Sequence, residues 1–247
     1  MSERFYLPGP LDLPELRLSG PEAHHLAHVL RLGPGATVTL FDGTGRETAA
    51  KVVAVSKRDV ALQPRSSVRT SGATPIPVTL AVSPPKGDRF RWIVEKATEL
   101  DVTRLVPLLT QRSVVDPRDG KLDKLRQTVI AACKQSGRNR LMEITPPTEY
   151  PVFLDSEAAN DRRLLLHPGA TPLMSIDIAP ETVSGITLLI GPEGGFTTEE
   201  VDQAVAGGVL LASLGRTILR TETAALAAAA IVILRGVQSE PRPSGSD

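Results

Sequence analysis

The feature that most constrains the fold is an alternation of short apolar runs with amphipathic stretches, which begins near residue 76. The apolar runs predict strands at residues 78–83, 104–109, 164–166, 187–190 and 209–214. Helical periodicity predicts helices over residues 89–100, 121–136, 197–206 and 222–235. Strands without polar alternation are typical of sheets that are covered on both faces. The pattern therefore predicts an α/β domain with a mostly parallel sheet over residues 76–237.

Local signals mark where two of these helices begin and end. Thr197 and Glu200 fit a capping box at the start of the third helix. That helix is expected to stop at Gly207, and the last helix at Gly236, because glycine favours helix C-termini. Cys133, the single cysteine, falls within the helical pattern of residues 121–136, which favours a small core residue over a catalytic thiol.

The first 70 residues have a different pattern and predict a small β-barrel-like module. Strands are predicted at residues 36–41, 48–55 and 59–63, and a short helix at residues 21–30. The dipeptide Asp42-Gly43 between two strand patterns indicates a hairpin. Residues 64–77 are rich in Ser, Thr, Gly and Pro, which predicts a linker. The polar, Pro-rich tail at residues 238–247 is predicted to be disordered.

Several classes of protein are excluded by what the chain lacks. No apolar run approaches the roughly 20 residues that cross a bilayer, and the N-terminus has no apolar segment of the secretory type. One cysteine excludes an internal disulfide framework and a Cys-rich zinc site. We therefore expect a soluble, cytoplasmic protein without a metal.

The charge is balanced overall but not along the chain. The 28 basic residues equal the 28 acidic ones. Residues 84–140 nevertheless contain thirteen Lys and Arg against seven Asp and Glu, whereas residues 141–206 contain two against eleven. Such a segregation allows a positive face that attracts a phosphate backbone. It is equally compatible with charges that only solvate helix surfaces.

Two glycine-containing segments follow predicted strands and lead into helices. They are LLIGPEGGF at residues 188–196 and LGRTILRTETAA at residues 214–225. Ligands of open α/β sheets bind at the carboxyl ends of strands, and glycine lets the backbone approach a ligand closely. No Gly-Lys-Ser/Thr follows, so neither segment is a P-loop. The small residues at 224–230 allow another segment to pack very close to the last helix.

Two basic segments are weaker candidates. They are KQSGRNR at residues 134–140 and PKGDRFR at residues 85–91. Cations beside Gln, Ser and Asn suit phosphate and base contacts. The first segment also fits an ordinary helix C-terminus, where cations and a glycine are favoured.

Two further patterns suggest other functions. The segment at residues 38–45 resembles the strand and glycine turn of Rossmann-type methyltransferases, which would place a cofactor near Gly43; however, residues 46–55 predict a strand where a helix is required. His24 and His28 lie four residues apart on one helical face. A zinc site needs further ligands, so RNA contact or packing is favoured for these histidines.

Taken together, five segments resemble the ribosomal RNA small-subunit methyltransferase E family, which methylates N3 of a uridine in 16S ribosomal RNA. They are HHLAHVLRL at residues 24–32, the segment at residues 86–115, KQSGR at residues 134–138, and the two glycine segments at residues 191–201 and 214–228. The resemblance implies an N-terminal PUA-like β-barrel at residues 1–70. It implies a C-terminal SPOUT domain with a deep trefoil knot, which works as a homodimer.

The resemblance also implies ligands and the residues that contact them. S-adenosylmethionine would be held by Leu166, Pro168, Gly191, Pro192, Glu193, Gly194, Gly195, Leu214, Gly215, Ile218, Leu219, Arg220, Thr221 and Ala224. RNA, as 16S ribosomal RNA or the assembled small subunit, would be held by His24, His25, Arg31, Lys86, Arg89, Arg91, Arg112, Lys134, Gln135, Ser136 and Arg138. The sequence departs from the family pattern at residues 167–170, which leaves the rim of the cofactor site open.

Three residues are hypothesised to act in catalysis: Arg138, Arg220 and Glu222. Methylation of uracil N3 leaves charge on O2 and O4, which Arg138 would stabilise unless it binds a neighbouring phosphate. Glu222 would position Arg220. Two alternatives stay open: the same fold acting on a transfer RNA or the large-subunit RNA, and a non-catalytic RNA-binding assembly factor.

Overall fold

Strand pairing divides the chain into two compact units. The computed structural model describes residues 3–71, 76–117, 121–156, 162–178 and 183–238. The first unit comprises Met1–Ala73 and Ile130–Leu141, and the second comprises Thr74–Val129 and Met142–Asp247. The segment Ile130–Leu141 therefore groups with the first unit, although the sequence pattern predicts one domain over residues 76–237.

The first unit is built on a six-stranded sheet. Its strands are β1 (Arg4–Tyr6), β2 (Leu16–Ser19), β3 (Thr37–Phe41), β4 (Arg46–Val55), β5 (Asp59–Pro64) and β6 (Arg69–Thr70). Their order is β1-β3-β4-β5-β2, with β6 beside β4. β1 is parallel to β3 and the other pairs are antiparallel. The predicted hairpin is confirmed, since β3 and β4 pair antiparallel across Asp42-Gly43.

One short helix covers the apolar face of this sheet. α1 (Gly20–His24) runs directly into a π-helical turn at His25–Val29, in agreement with the helix predicted at residues 21–30. Ala23 and Leu26 are buried against the core, which includes Phe5 and Leu40. Alternating side chains therefore separate a buried face from a polar one, as antiparallel sheets allow.

The predicted linker at residues 64–77 is wrong in its first half. β6 lies within it, pairs with β4, and carries Arg69, whose guanidinium lies 2.9 Å from the Glu47 carboxylate. A two-residue exposed strand has no apolar alternation, so the sequence pattern gave no sign of it. Residues 72–75 lie outside the described residues.

The second unit is built on a seven-stranded sheet in which every described pair is parallel. Its strands are β7 (Val78–Val82), β8 (Arg104–Leu109), β9 (Glu143–Ile144), β10 (Thr148–Glu149), β11 (Arg162–Pro172), β12 (Ile186–Ile190) and β13 (Leu210–Ser213). Their order is β10-β8-β7-β12-β11-β13, with β9 beside β8. The helices are α2 (Arg89–Glu99), α3 (Lys121–Ser136), α4 (Tyr150–Ser156), α5 (Thr198–Ala206) and α6 (Thr221–Gln238).

Burial explains why this sheet was predictable. Every residue of β7 and of β12 is buried, as the continuous apolar runs predict. α6 packs on both strands and against α2. The α/β class is therefore confirmed. The trefoil crossing of the chain stays a prediction.

Three boundaries differ from the sequence pattern. α6 begins at Thr221 and continues through Gly236, so the predicted helix end is wrong. A Cβ on Gly236 would lie 3.3 Å from Ile76 Cδ1, so this glycine serves close packing. β11 extends to Pro172, with a register shift between Leu166 and Thr171. Of the predicted tail, Gln238 ends α6 and residues 239–247 lie outside the described residues.

No helix among the described residues is both long and apolar enough to cross a membrane. Cys133 is fully buried, which confirms its prediction as a core residue.

The predicted capping box at α5 is confirmed and extends to a third partner. Thr197 Oγ1 accepts a hydrogen bond from Glu200 N–H at 3.2 Å, and Glu200 Oε2 accepts one from Thr197 N–H at 2.9 Å. Glu200 Oε1 also accepts from Gln111 N–H at 2.8 Å, just beyond β8. The Tyr150 hydroxyl donates to the Glu200 carbonyl, and burial together with the Glu200 charge raises the pKa of Tyr150 well above its usual range. One buried carboxylate thus ties α5 to the end of β8.

Replacing Glu200 tests how much its carboxylate contributes to the stability of the fold. We expect Glu200→Ala to lower the free energy of unfolding by about 2 kcal/mol, because two backbone N–H groups lose a charged acceptor. Asp202→Ala, an exposed carboxylate on the same helix, is the control and is expected to change it by less than about 0.5 kcal/mol. Urea unfolding of both variants measures the difference, and equal losses would contradict the role given to Glu200.

Candidate functional site

A cavity of about 320 Å³ opens in the second unit where β12 and β13 end and where β11 is irregular. It is lined by Leu166, His167, Pro168, Ile190, Gly191, Pro192, Glu193, Gly195, Phe196, Ala212, Ser213, Leu214, Gly215, Thr217, Ile218, Leu219, Arg220, Thr221 and Ala224. Because the strands are parallel, their carboxyl ends share one edge of the sheet, where ligands of such sheets bind. The volume is in the range of small-molecule sites, about 300–1,000 Å³.

Hydrogen bonds from the protein itself fix the walls of the cavity. Thr221 Oγ1 donates to the Gly191 carbonyl at 3.2 Å and joins the start of α6 to the first glycine segment. Gly195 N–H donates to the Pro192 carbonyl at 2.9 Å and closes a turn. Ser213 Oγ donates to the Ala170 carbonyl at 2.9 Å. These hydrogen bonds hold the loops in place as the walls of the cavity.

Two glycines of the first segment are required by this geometry. A Cβ on Gly191 would lie 3.1 Å from two ring carbons of Phe196 and 3.3 Å from the backbone of Gly195. Gly195 itself has a φ of +68°, which side chains rarely adopt. The backbone can approach a ligand here because neither position carries a side chain.

The sequence-predicted cofactor residues come together around this cavity. All of them line it except Gly194, whose carbonyl accepts a hydrogen bond from Arg112 Nη1 at 2.7 Å. Six further lining residues are outside the predicted set: His167, Ile190, Phe196, Ala212, Ser213 and Thr217. Most are the last residues of the strands or neighbours of predicted contacts, so extending each predicted loop by two residues would have included them. His167, where the sequence left the rim open, also lines the cavity.

An arginine and two carboxylates lie beside the cavity. Arg89 Nη1 lies 3.5 Å from Glu193 Oε1 and 3.9 Å from Glu222 Oε1. Glu222 Oε2 is buried and has no hydrogen-bond partner among the described residues. Within the described part of the chain, the ion pair of Glu222 is with Arg89. The hypothesis that Glu222 positions Arg220 stays a prediction. Arg220 is exposed and lines the cavity by itself.

The predicted RNA-binding residues fall into two groups. The first group consists of the exposed side chains of His24, Arg31, Lys86, Arg91, Gln135 and Ser136. The second group has partners inside its own unit, although Arg112 in this group is also exposed. Arg89 and Arg112 contact the first glycine segment of the second unit, as described above. Lys134 Nζ lies 3.0 Å from both carboxylate oxygens of Glu22, 3.1 Å from His25 Nδ1 and 5.0 Å from the ring centroid of Phe5.

The structure places Arg138 in the first unit, whereas Arg220 and Glu222 belong to the second. Arg138 follows Gly137, which lies directly after α3 and has a φ of +81°. Its side chain is half-buried.

A second cavity, of about 390 Å³, lies in the first unit between α1 and the β4–β5 turn. We call it the basic groove; it is lined by Ser19, Gly20, Ala23, His24, Ala27, His28, Ser56, Lys57, Arg58 and Asp59. The rings of His24 and His28 lie 4.9 Å apart. Lys57 and Arg58 are outside the predicted site residues. Their position in a turn between two strands explains why polar residues occur there without any ligand. In the described parts of the chain, no group of three His, Cys, Asp or Glu side chains is placed to hold a metal ion.

The two units match two known domain families. Residues 73–233 match the RNA methyltransferase domain, and residues 18–64 match the RNA methyltransferase PUA domain. An all-parallel domain with a strand-end cavity, joined to a PUA module, defines an RNA methyltransferase. The alternative with a Rossmann-type cofactor site near Gly43 is wrong, because residues 46–55 form β4 rather than a helix.

Individual relatives cover nearly the whole chain. The ribosomal RNA small subunit methyltransferase E of Bacillus subtilis is 32% identical over 92% of this chain and 94% of its own. The crystal structure of the same enzyme from Neisseria gonorrhoeae, bound to S-adenosyl methionine, has a TM-score of 0.88 at 33% identity and covers 95% of this chain and 98% of that one. A putative methyltransferase of Legionella pneumophila, in complex with the same cofactor, has a TM-score of 0.87 at 33% identity over the same shares. The chain belongs to the ribosomal RNA small subunit methyltransferase E family.

Proposed function

We propose that this protein is an S-adenosylmethionine-dependent methyltransferase that methylates N3 of a uridine in 16S ribosomal RNA. The observation that carries the proposal is the cavity at the strand ends, in a chain whose solved relatives at 33% identity hold S-adenosylmethionine. The uridine N3 position follows the family to which the chain belongs. The working compartment would be the cytoplasm, where that RNA is.

The cavity fits the cofactor in shape and chemistry. Ile218 is 87% exposed although it lines the cavity, so a large apolar surface is available for a flat group such as adenine. Leu214 and Leu219 extend the same wall. Backbone groups of Gly191 and Gly215 supply donors and acceptors without side-chain bulk. When bound, S-adenosylmethionine supplies a methyl group already activated by a sulfonium.

The task left to the protein is to orient the uracil and stabilise its charge. Attack by N3 requires loss of its proton, and negative charge then spreads to O2 and O4. A guanidinium aimed at these oxygens stabilises that charge, and alignment of the reacting atoms supplies much of the remaining rate. We assign the charge-stabilising role to Arg138. Arg220, exposed on the cavity wall, is the candidate for holding the nucleotide beside the cofactor.

RNA would be held partly by the basic groove of the first unit. The groove is lined by two cations, Lys57 and Arg58, and by two histidines that can donate hydrogen bonds. Cations and hydrogen-bond donors are the groups that contact phosphates. His25 and Lys134 are omitted from this surface because they have partners within the unit. Lys86 and Arg91 would add contacts from the second unit, where both are exposed.

We further propose that the protein acts as a homodimer through α6. Its outer side leaves Leu234 61% exposed, and Leu226 and Ile231 are only partly buried. A second copy would cover these apolar side chains.

The function is tested on its product. Small-subunit RNA from cells lacking this protein is incubated, naked and as assembled subunits, with the purified protein and S-adenosylmethionine. Mass-spectrometric nucleoside analysis is expected to show new 3-methyluridine. No new methylated nucleoside on either substrate would contradict the proposal. Methylation of transfer RNA or large-subunit RNA instead would keep the enzyme and change its target.

Substitutions of two glycines in the first glycine segment test the cofactor site. Gly191→Ala is expected to weaken S-adenosylmethionine binding by about tenfold or more, because the new methyl group displaces Phe196 and Gly195. Gly194→Ala is the control: its Cβ would meet only the Arg112 side chain, which is exposed and can move, so a change below about threefold is expected. Isothermal titration measures both, with thermal unfolding as a check of folding. Equal weakening in the two variants would remove the cavity from the cofactor site.

The basic groove is tested by salt dependence. Reversing Lys57 and Arg58 together to Glu is expected to weaken RNA binding and to reduce the slope of log affinity against log salt by about 1 for each lost phosphate contact. Lys51→Glu reverses an exposed lysine of β4 that does not line the groove, so it should leave the slope unchanged. The same slope change in all variants would mean a diffuse charge effect and no groove contact.

A further inference from the structure

The segment that carries Arg138 is held on both sides by the first unit. We call residues 137–141 the arginine loop and residues 42–46 the receiving turn. Gly45 N–H donates to the Asn139 carbonyl at 3.0 Å, and Leu141 N–H donates to the Gly43 carbonyl at 2.9 Å. Ser71 Oγ donates to Asn139 Oδ1 at 2.8 Å. The backbone before and after Arg140 is thus tied to the β3–β4 connection.

The receiving turn is itself stiffened by a buried carboxylate. Asp42 accepts from Thr44 N–H at 2.8 Å and from Arg46 Nε at 2.6 Å, and its side chain is 1% exposed. Burial alone would raise the pKa of Asp42, but these hydrogen bonds outweigh it and lower the pKa below its ordinary value. The carboxylate is therefore charged at neutral pH, where its hydrogen bonds are strongest.

Glycines of the receiving turn lie where the loop approaches it closely. A Cβ on Gly45 would lie 2.8 Å from the guanidinium of Arg140, and one on Gly43 would lie 2.9 Å from Leu141 Cγ. Both glycines also have φ values in the left-handed region, +82° for Gly43 and +106° for Gly45. The fit between turn and loop is therefore close and specific.

A second anchor lies one helical turn before Arg138. Lys134, near the end of α3, is bound by both oxygens of Glu22 and by His25, as described above. Glu22 Oε2 also accepts from Tyr6 N–H at 3.1 Å, which fixes the carboxylate against β1. The Lys134 and Glu22 side chains are 16% and 21% exposed, so their attraction is screened less than that of a surface pair.

We propose that the first unit positions Arg138 for the reaction, with Lys134 and Asn139 as positioning residues. The proposal rests on the proposed function, in which Arg138 stabilises the charge on the uracil. A flexible arginine loses many rotamers when it is fixed on a substrate. A backbone anchored at both ends removes part of that cost and holds the guanidinium within the small tolerance that catalysis requires.

Kinetics of four variants test the proposal. Lys134→Met keeps the apolar stem and removes the charge. It is expected to lower kcat about tenfold or more, since displacement by about 1 Å can cost up to about 100-fold. The KM for RNA and the affinity for S-adenosylmethionine should change less than about twofold, because Lys134 touches neither. Lys134→Arg should restore kcat to within about threefold, since it can still pair with Glu22. Asn139→Ala and Ser71→Ala remove the hydrogen bond between these two side chains from opposite sides and should both lower kcat.

A double variant shows whether these residues act through Arg138. If they do, Lys134→Met should add less than about twofold to the loss caused by Arg138→Ala, because coupled residues are non-additive. Arg126→Met is the matched control, since Arg126 forms an exposed pair with Asp123 on the same helix and should leave kcat unchanged.

The outcomes separate this proposal from the proposed function. Wild-type protein that makes no 3-methyluridine overturns the function and the positioning role together. Active wild-type protein, an impaired Arg138→Ala and unimpaired anchor variants overturn the positioning role alone. A raised KM for RNA with unchanged kcat in Lys134→Met would mean that Lys134 contacts RNA, which also overturns it. Should Lys134→Met fail to fold, Ser71→Ala decides, since Ser71 is exposed.

Discussion

The second unit depends on one constraint, the burial of a parallel sheet on both faces. β7 and β12 are buried at every residue, and the sheet can exist only where helices cover it. Parallel pairing then brings the carboxyl ends of β11, β12 and β13 to one edge. The segments that leave this edge contain glycines and short polar residues, and their own hydrogen bonds hold them apart as cavity walls. The cavity is thus a consequence of how the sheet is buried.

Charged residues have a different part in the two units. Several cations that suit RNA by their type are used to hold loops: Arg89 and Arg112 contact the first glycine segment, and Lys134 is paired with Glu22. Charge-assisted hydrogen bonds of this kind fix geometry more firmly than neutral ones. Other cations are exposed, among them Lys57 and Arg58, which line the basic groove. The net charge of zero therefore combines internal pairs with a local positive surface.

Local patterns predicted what depends on local physics. The strands β7, β8 and β12, the capping box of α5 and the two glycine segments each follow from residues close in sequence. The features that the sequence did not predict depend on contacts between residues far apart in the chain. Arg112 and Gly194 are 82 residues apart and Lys134 and Glu22 are 112 apart, so neither pairing leaves a local signal. Gly236 fits a helix end by type, yet it lies inside α6, close to Ile76. Tyr150 and Phe153 are the buried residues of the short helix α4. A helix of seven residues is too short for a periodic pattern to predict it from the sequence.

The most direct test of the account is a crystal structure of this protein with S-adenosylmethionine. We predict that the cofactor occupies the cavity between the first glycine segment and the start of α6, with its adenine against Ile218 and Leu219. The exposed Ile218 side chain would become buried in that complex. Cofactor bound near Gly43 in the first unit, or at the basic groove, would contradict the account and move the site to the other end of the sequence.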